Sequence, residues 1–243
     1  MLIELLLVQL SWSIGDECKS SRQYESAIRA YEFVFSAGPF KMGRWSPSEE
    51  PDTEALLLRN LGDCSKGVEK YDRAAIYYLS ALNCSTAPSH IHECLGALYY
   101  SQGIYNESIE HYIRSMDLNP TEAISIQLAN AYIAAGAAVL AIGDPDGAIN
   151  LYQNAIGVNP ARAQAWQGCG NAYLSKRDYV GAIRTFKDAR EKFPSHEGIH
   201  DGLRNALLAA DNAEAAVWVY KADMMDVLIA EYILKSENNA HAS

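Results

Sequence analysis

Residues 163–196, AQAWQGCGNAYLSKRDYVGAIRTFKDAREKFPSH, constrain this chain most, because their large and small residues fall at fixed places. Counting Ala163 as position one, Trp166 is four, Cys169 seven, Gly170 eight, Tyr173 eleven, Ala182 twenty, Phe186 twenty-four, Ala189 twenty-seven and Pro194 thirty-two. The large residues fill the space between two antiparallel helices, while Gly170 and Ala182 let the helix axes approach where a bigger side chain would hold them apart. Pro194 stops the second helix and sets up the next. Helix pairs this short cannot shield their own apolar side, so they must be stacked on others of their kind.

This residue pattern resembles the tetratricopeptide repeat. The resemblance implies an all-α fold, a right-handed α-solenoid of about six helix-turn-helix repeats, acting as a protein-interaction scaffold or adaptor. Repeats fall at about 8–41, 55–88, 89–122, 122–162, 163–196 and 197–230. Gly62 and Gly96 stand 34 residues apart, so the second and third repeats run on without a break. Residues 42–54, MGRWSPSEEPDTE, have no helical period and read as an inserted loop, with Trp45 tucked back or offered to a partner. Beyond Ala213 no helix breaker appears until the polar tail, so the last helix is expected to extend to about Lys235.

The fourth repeat departs from the pattern. Pro120 and Pro160 are 40 residues apart, whereas Pro160 and Pro194 are 34, so six residues are extra. Read from the left, Leu128, Ala129 and Tyr132 take positions seven, eight and eleven; read from the right, Tyr132 takes four and Gly136 takes eight. The two phases differ by about two helical turns, which predicts an over-long first helix from about Thr121 to Ile142, ended at Gly143, Asp144 and Pro145.

With 20 basic and 30 acidic residues the chain carries a formal charge of −10, which disfavours nucleic acid and anionic lipid as partners. Five cysteines without a CxxC pair point to a reducing, cytoplasmic setting. MLIELLLVQL lacks a preceding basic segment and is interrupted by Glu4, so it reads as a greasy first helix and not as a signal peptide. No apolar run elsewhere is expected to reach the roughly 20 residues of a membrane span. No nucleotide-binding, zinc-protease or hydrolase motif is present, and no catalytic residue, metal or cofactor is expected. His90 and His92 point to different sides of a helix and read as solvated or capping groups, with His111 on the partner helix of the same repeat.

By resemblance, positions two, five, six, nine, twelve and thirteen of the first helices face a bound protein or peptide segment. Carried over, these give Arg59, Asn60, Asp63, Ile133 and Gln167, with Asn130, Asn171 and Asn205 at position nine, Asn130 counted in the left-hand phase. Asparagine both donates to and accepts from a peptide group, so three in a ladder can grip an extended backbone; solvated polar residues are the plain alternative. Arg59 and Asn60 alone cannot neutralise two carboxylates, which argues against the clamp for acidic C-termini. A second reading is assembly into a homo-oligomer or larger complex through apolar ends, namely MLIELLLV and Met224, Met225, Leu228, Ile229 and Tyr232. A third, the targeting part of a longer enzyme such as a glycosyltransferase, has no support within these residues.

Overall fold

A computed structural model describes residues 2–37 and 52–210, with only the backbone for 2–5. The inserted loop, with Trp45, lies almost wholly outside these residues, as does the final helix with Met224, Met225, Leu228, Ile229 and Tyr232. Among the described residues the secondary structure is α-helix alone: α1 (Leu2–Ser20), α2 (Tyr24–Ser36), α3 (Thr53–Gly67), α4 (Tyr71–Cys84), α5 (Pro88–Ser101), α6 (Tyr105–Leu118), α7 (Glu122–Ala141), α8 (Pro145–Val158), α9 (Ala163–Ser175), α10 (Tyr179–Lys192) and α11 (Glu197–Ala209). Two compact units divide within α7, Met1–Gln127 and Leu128–Ser243.

Each pair of helices is held by one contact that the sequence spacing foretells. A Cβ placed on Gly15, Gly62, Gly96, Gly136 or Gly170 would lie 2.5, 2.5, 2.8, 3.1 or 2.5 Å from the ring of Tyr31, Tyr78, Tyr112, Tyr152 or Phe186, respectively. The aromatic at position twenty-four therefore lies on the bare backbone of position eight in each of the five described pairs. Tyr31, Tyr78 and Phe186 are buried to 1% exposure or less. In the second unit the ring is enclosed from the following repeat as well, since a Cβ on Gly168 would meet Tyr152 and one on Gly202 would meet Phe186, both at 2.3 Å.

The cores follow the same logic and have no single centre. In the first unit, one cluster joins α1, α2 and α3 through Val8, Tyr31, Val34, Leu57 and Leu61, and the next joins α3, α4 and α5 through Leu58, Tyr78, Leu95 and Leu98. In the second unit, Ala148, Tyr152, Cys169 and Ala172 join α8 to α9, and Phe186, Ile199, Leu203 and Leu207 join α10 to α11. Within each unit, α2, α4, α8 and α10 are thus each packed between their own first helix and the one that follows, which is how stacking removes the open apolar side.

The turns inside the pairs are of one kind. Position fifteen is left-handed at Arg22, Glu69, Gly103, Gly143 and Arg177, with φ of 59°, 59°, 75°, 90° and 62°. The next residue's N–H returns to the carbonyl of position eleven, as in Gln23 to Cys18 at 2.8 Å and Asp178 to Tyr173 at 2.9 Å, closing a Schellman turn. Gly143 and Gly136 fit this frame only if the fourth repeat is counted from its right-hand end. The extra residues therefore lie in the first part of α7.

α7 also corrects the sequence expectation about apolar runs. With 20 residues it is long and apolar enough to cross a membrane by length and composition alone. The reason is local: Leu128, Ala129, Ala131 and Ala135 are buried among the helices of the fold, and alanines separate them. α1 starts at Leu2, well ahead of the repeat boundary near Val8, and leaves Leu6, Leu7, Leu10 and Ile14 between 44% and 58% exposed.

Two substitutions test these constraints. Gly170→Ala should cost about 1–3 kcal/mol, because Phe186 is packed and must move. Arg177→Gly should gain up to about 1 kcal/mol by relieving a left-handed backbone at a non-glycine residue. Chemical denaturation of the two variants beside the parent measures both.

Candidate functional site

The first helices carry the residues that the resemblance assigns to ligand contact, and the two units treat them differently. In the first unit a groove of about 420 Å³ runs between α1 and α3, lined by Val8, Gln9, Trp12, Ser13, Asp16, Thr53 and Leu56. Asp16 in this lining, and Asn60 and Asp63 on α3, are engaged within the fold. The hydroxyl of Tyr31 donates to Asp16 at 2.6 Å and that of Tyr78 to Asp63 at 2.7 Å, both across 15 residues of one helix pair. Lys19 Nζ donates to Asp63 at 2.6 Å and to the side-chain oxygen of Asn60 at 2.9 Å, tying α1 to α3. Asn60 is only 5% exposed. Arg59 is half-buried, and its Nε is buried without a hydrogen-bond partner among the described residues. Beyond it, His90 pairs with Glu93 at 3.0 Å, and Gln127 donates to Glu93 at 3.0 Å.

Asp63 and Asn60 thus fasten the first two repeats together. The sequence signal for this was present in the 15-residue separation of Asp16 from Tyr31 and of Asp63 from Tyr78; Lys19 carried no signal, because its partners lie on another repeat. Burial and the neighbouring carboxylates raise the phenols of Tyr31 and Tyr78, so both remain donors.

In the second unit the asparagine ladder needs correction. With Gly136 on Tyr152, the residue equivalent to Asn171 is Ala137, and Asn130 lies almost two turns earlier. Asn130 accepts from Arg162 at 2.6 Å. Ile133 is half-buried against the α8 and α9 core. Gln167 lies over Gly198, where a Cβ would meet its Nε2 at 2.4 Å. Asn171 and Asn205 remain equivalent; both are exposed, and neither makes a side-chain hydrogen bond among the described residues. Of the three asparagines expected at equivalent positions, two are equivalent.

His92 also departs from the sequence reading of a solvated or capping group. It is 7% exposed and its Nδ1 lies 2.9 Å from that of His111, while His90 remains on the surface. The five cysteines are free thiols. Burial pushes Cys64 and Cys169 up to about 11 and Cys94 to about 12. Among the described residues no three His, Cys, Asp or Glu side chains gather as a metal site.

Two measurements check this division. Asp63→Ala should lower stability by about 1–3 kcal/mol, since it strands Lys19 and the Tyr78 hydroxyl, whereas Asn171→Ala should change it by less than about 0.5 kcal/mol. At pH 8, alkylation of Cys64, Cys94 and Cys169, followed by peptide mass mapping, should be about a hundredfold slower in the folded than in the denatured chain, because the thiolate is the reacting form.

Comparison with known proteins agrees with this architecture. The family model described as tetratricopeptide repeat matches residues 127–197. No curated protein matches the chain in sequence. A crystal structure of MamA protein has a TM-score of 0.53 and 24% identity, covering 76% of this chain and 91% of that one. A tetratricopeptide repeat protein from Parabacteroides merdae has a TM-score of 0.54 and 17% identity, covering 90% of this chain and 80% of that one. A second crystal structure of MamA has a TM-score of 0.51 and 24% identity, covering 74% and 95%. Matched glycine–aromatic pairs, five equivalent left-handed turns and these structural likenesses show that the chain has the all-α fold of tetratricopeptide-repeat proteins, with residues 127–197 matching that family's model.

Proposed function

We propose that the chain is a non-catalytic protein-interaction scaffold, and that the first-helix face of its second unit receives an extended peptide or a helix. The observation that carries this is the contrast between the two sets of polar residues. Asp16, Asn60 and Asp63 are engaged within the fold, so a ligand must break internal bonds to use them. Asn171 and Asn205 are exposed and unengaged among the described residues. They stand at equivalent positions on α9 and α11, one repeat apart, each able to donate to and accept from a peptide group. Between them Gln167 lies over Gly198, and Asp201 is already paired with Arg204.

The free state of all five thiols supports a reducing compartment such as the cytoplasm. The net charge of −10 weighs against nucleic acid as the ligand.

A second reading rests on α1. Leu6, Leu10 and Ile14 recur at i, i+4 and i+8, and are 57%, 58% and 44% exposed. An apolar row of this kind supports self-association or docking into a larger complex through that end.

Partners captured by the intact chain supply the ligand for the test. Asn171→Ala with Asn205→Ala should weaken it about tenfold or more at unchanged thermal stability, since about 1 kcal/mol is lost per hydrogen bond. Unchanged affinity sinks the groove assignment. Leu6→Glu with Leu10→Glu should lower the mass seen by light scattering if α1 is the interface, and a mass the same as the parent's counts against it.

A further inference from the structure

We propose that His92 and His111 form a proton-sensitive latch between α5 and α6, which stays closed with one added proton and opens with two. The two imidazoles come from facing helices of the third repeat, at positions four and twenty-three, where the fifth repeat has Trp166 and Thr185. Their Nδ1 atoms are 2.9 Å apart, the ring centroids 5.2 Å apart, and Tyr99 stacks on His111 at 5.5 Å with an interplanar angle of 11°.

The chemistry follows from counting protons at that contact. A nitrogen-to-nitrogen bond needs one ring with hydrogen on Nδ1 and the other with Nδ1 bare and hydrogen on Nε2. The first added proton goes to the bare Nε2 of the donor ring. That ring is then an imidazolium that still donates through Nδ1, so the bond is kept and becomes charge-assisted. A second proton has only the acceptor's Nδ1 to occupy. It would place two N–H groups and two positive charges face to face at 2.9 Å, and the rings must part.

The surroundings favour the empty state. Burial lowers both basicities, and His111 is lowered further by His92. The charged groups acting on the pair are both on α6: Arg114 opposes protonation and Glu110 favours it, and they form an ion pair with each other. Tyr99 faces His111 from α5 as an uncharged ring, and no charged group of α3, α4 or residues 122–127 acts on either imidazole. Folded basicities below the unfolded value of about 6.5 mean that the contribution is complete above that pH and is lost as pH falls through the folded values. α5 also carries Glu93, which accepts from the Gln127 amide, so movement of α5 reaches that contact.

The test compares unfolding of the intact chain between pH 7.5 and 4.5 with that of a His92→Leu, His111→Leu double variant, which restores an apolar contact. Each proton taken up only on unfolding steepens the fall by about tenfold in the unfolding constant per pH unit. The parent should therefore lose at least about tenfold more than the variant between pH 6.5 and 4.5; parallel curves overturn the latch. If the variant does not fold, nitrogen-detected NMR of the parent imidazoles decides instead. Two separated steps, with the second coinciding with loss of the α5–α6 contact, support the proposal, and two independent titrations near 6.5 overturn it.

Discussion

An aromatic ring lying on a glycine backbone is the contact on which the rest of this structure depends. It sets the distance between the two helices of each pair, because the ring fits only where no Cβ intervenes. It also sets the phase, because position eight on one helix must face position twenty-four on the next. The left-handed turn at position fifteen then fixes the length of chain between them. Distance, phase and loop length are thereby specified by three residues per repeat, and the remaining positions are free to vary. Stretches as different as EKYDRAAIYY and GDPDGAINLY can accordingly occupy the same place in their repeats.

That economy explains which parts of the fold were legible in the sequence. Gly15, Gly62, Gly96 and Gly170 pair with aromatics sixteen residues on, and a fixed separation is visible in any sequence. The fourth repeat was legible only as two alternatives, since Ala129 and Gly136 are both small and lie on nearly the same side of α7. What separates them is contact with Tyr152, a tertiary fact. The same ambiguity misplaced Asn130, whose role as an acceptor for Arg162 depends on the linker before α9 and not on helical period.

The candidate site was less legible than the fold because position within a repeat says where a side chain points and not whether it is already occupied. Asp63 and Asn171 hold the same position, yet one is held by Lys19 and Tyr78 while the other is unengaged. The difference arises at the aromatic itself. Tyr78 brings a hydroxyl that seeks an acceptor at position nine, whereas Phe186 brings none, so the residue beside Gly170 is released from structural duty. In the first two repeats that hydroxyl makes position nine part of the frame, whereas Tyr112 and Tyr152 stand opposite Ala97 and Ala137, which offer it no side-chain acceptor.

The His92–His111 contact extends that argument from position nine to the interior of a pair. In the second repeat the equivalent places hold Leu58 and Tyr77, and apolar packing suffices there. Two imidazoles can replace such a contact only while their protons are arranged in one of the few compatible ways, so the proposed latch ties the third repeat to pH through its interior. Because each buried cluster centres on a few consecutive helices, loosening α5 against α6 is felt first by the neighbouring α4. In a stacked fold without a common core, a local change of charge stays local, and a repeat array can accommodate one sensitive pair without placing the remaining pairs at risk.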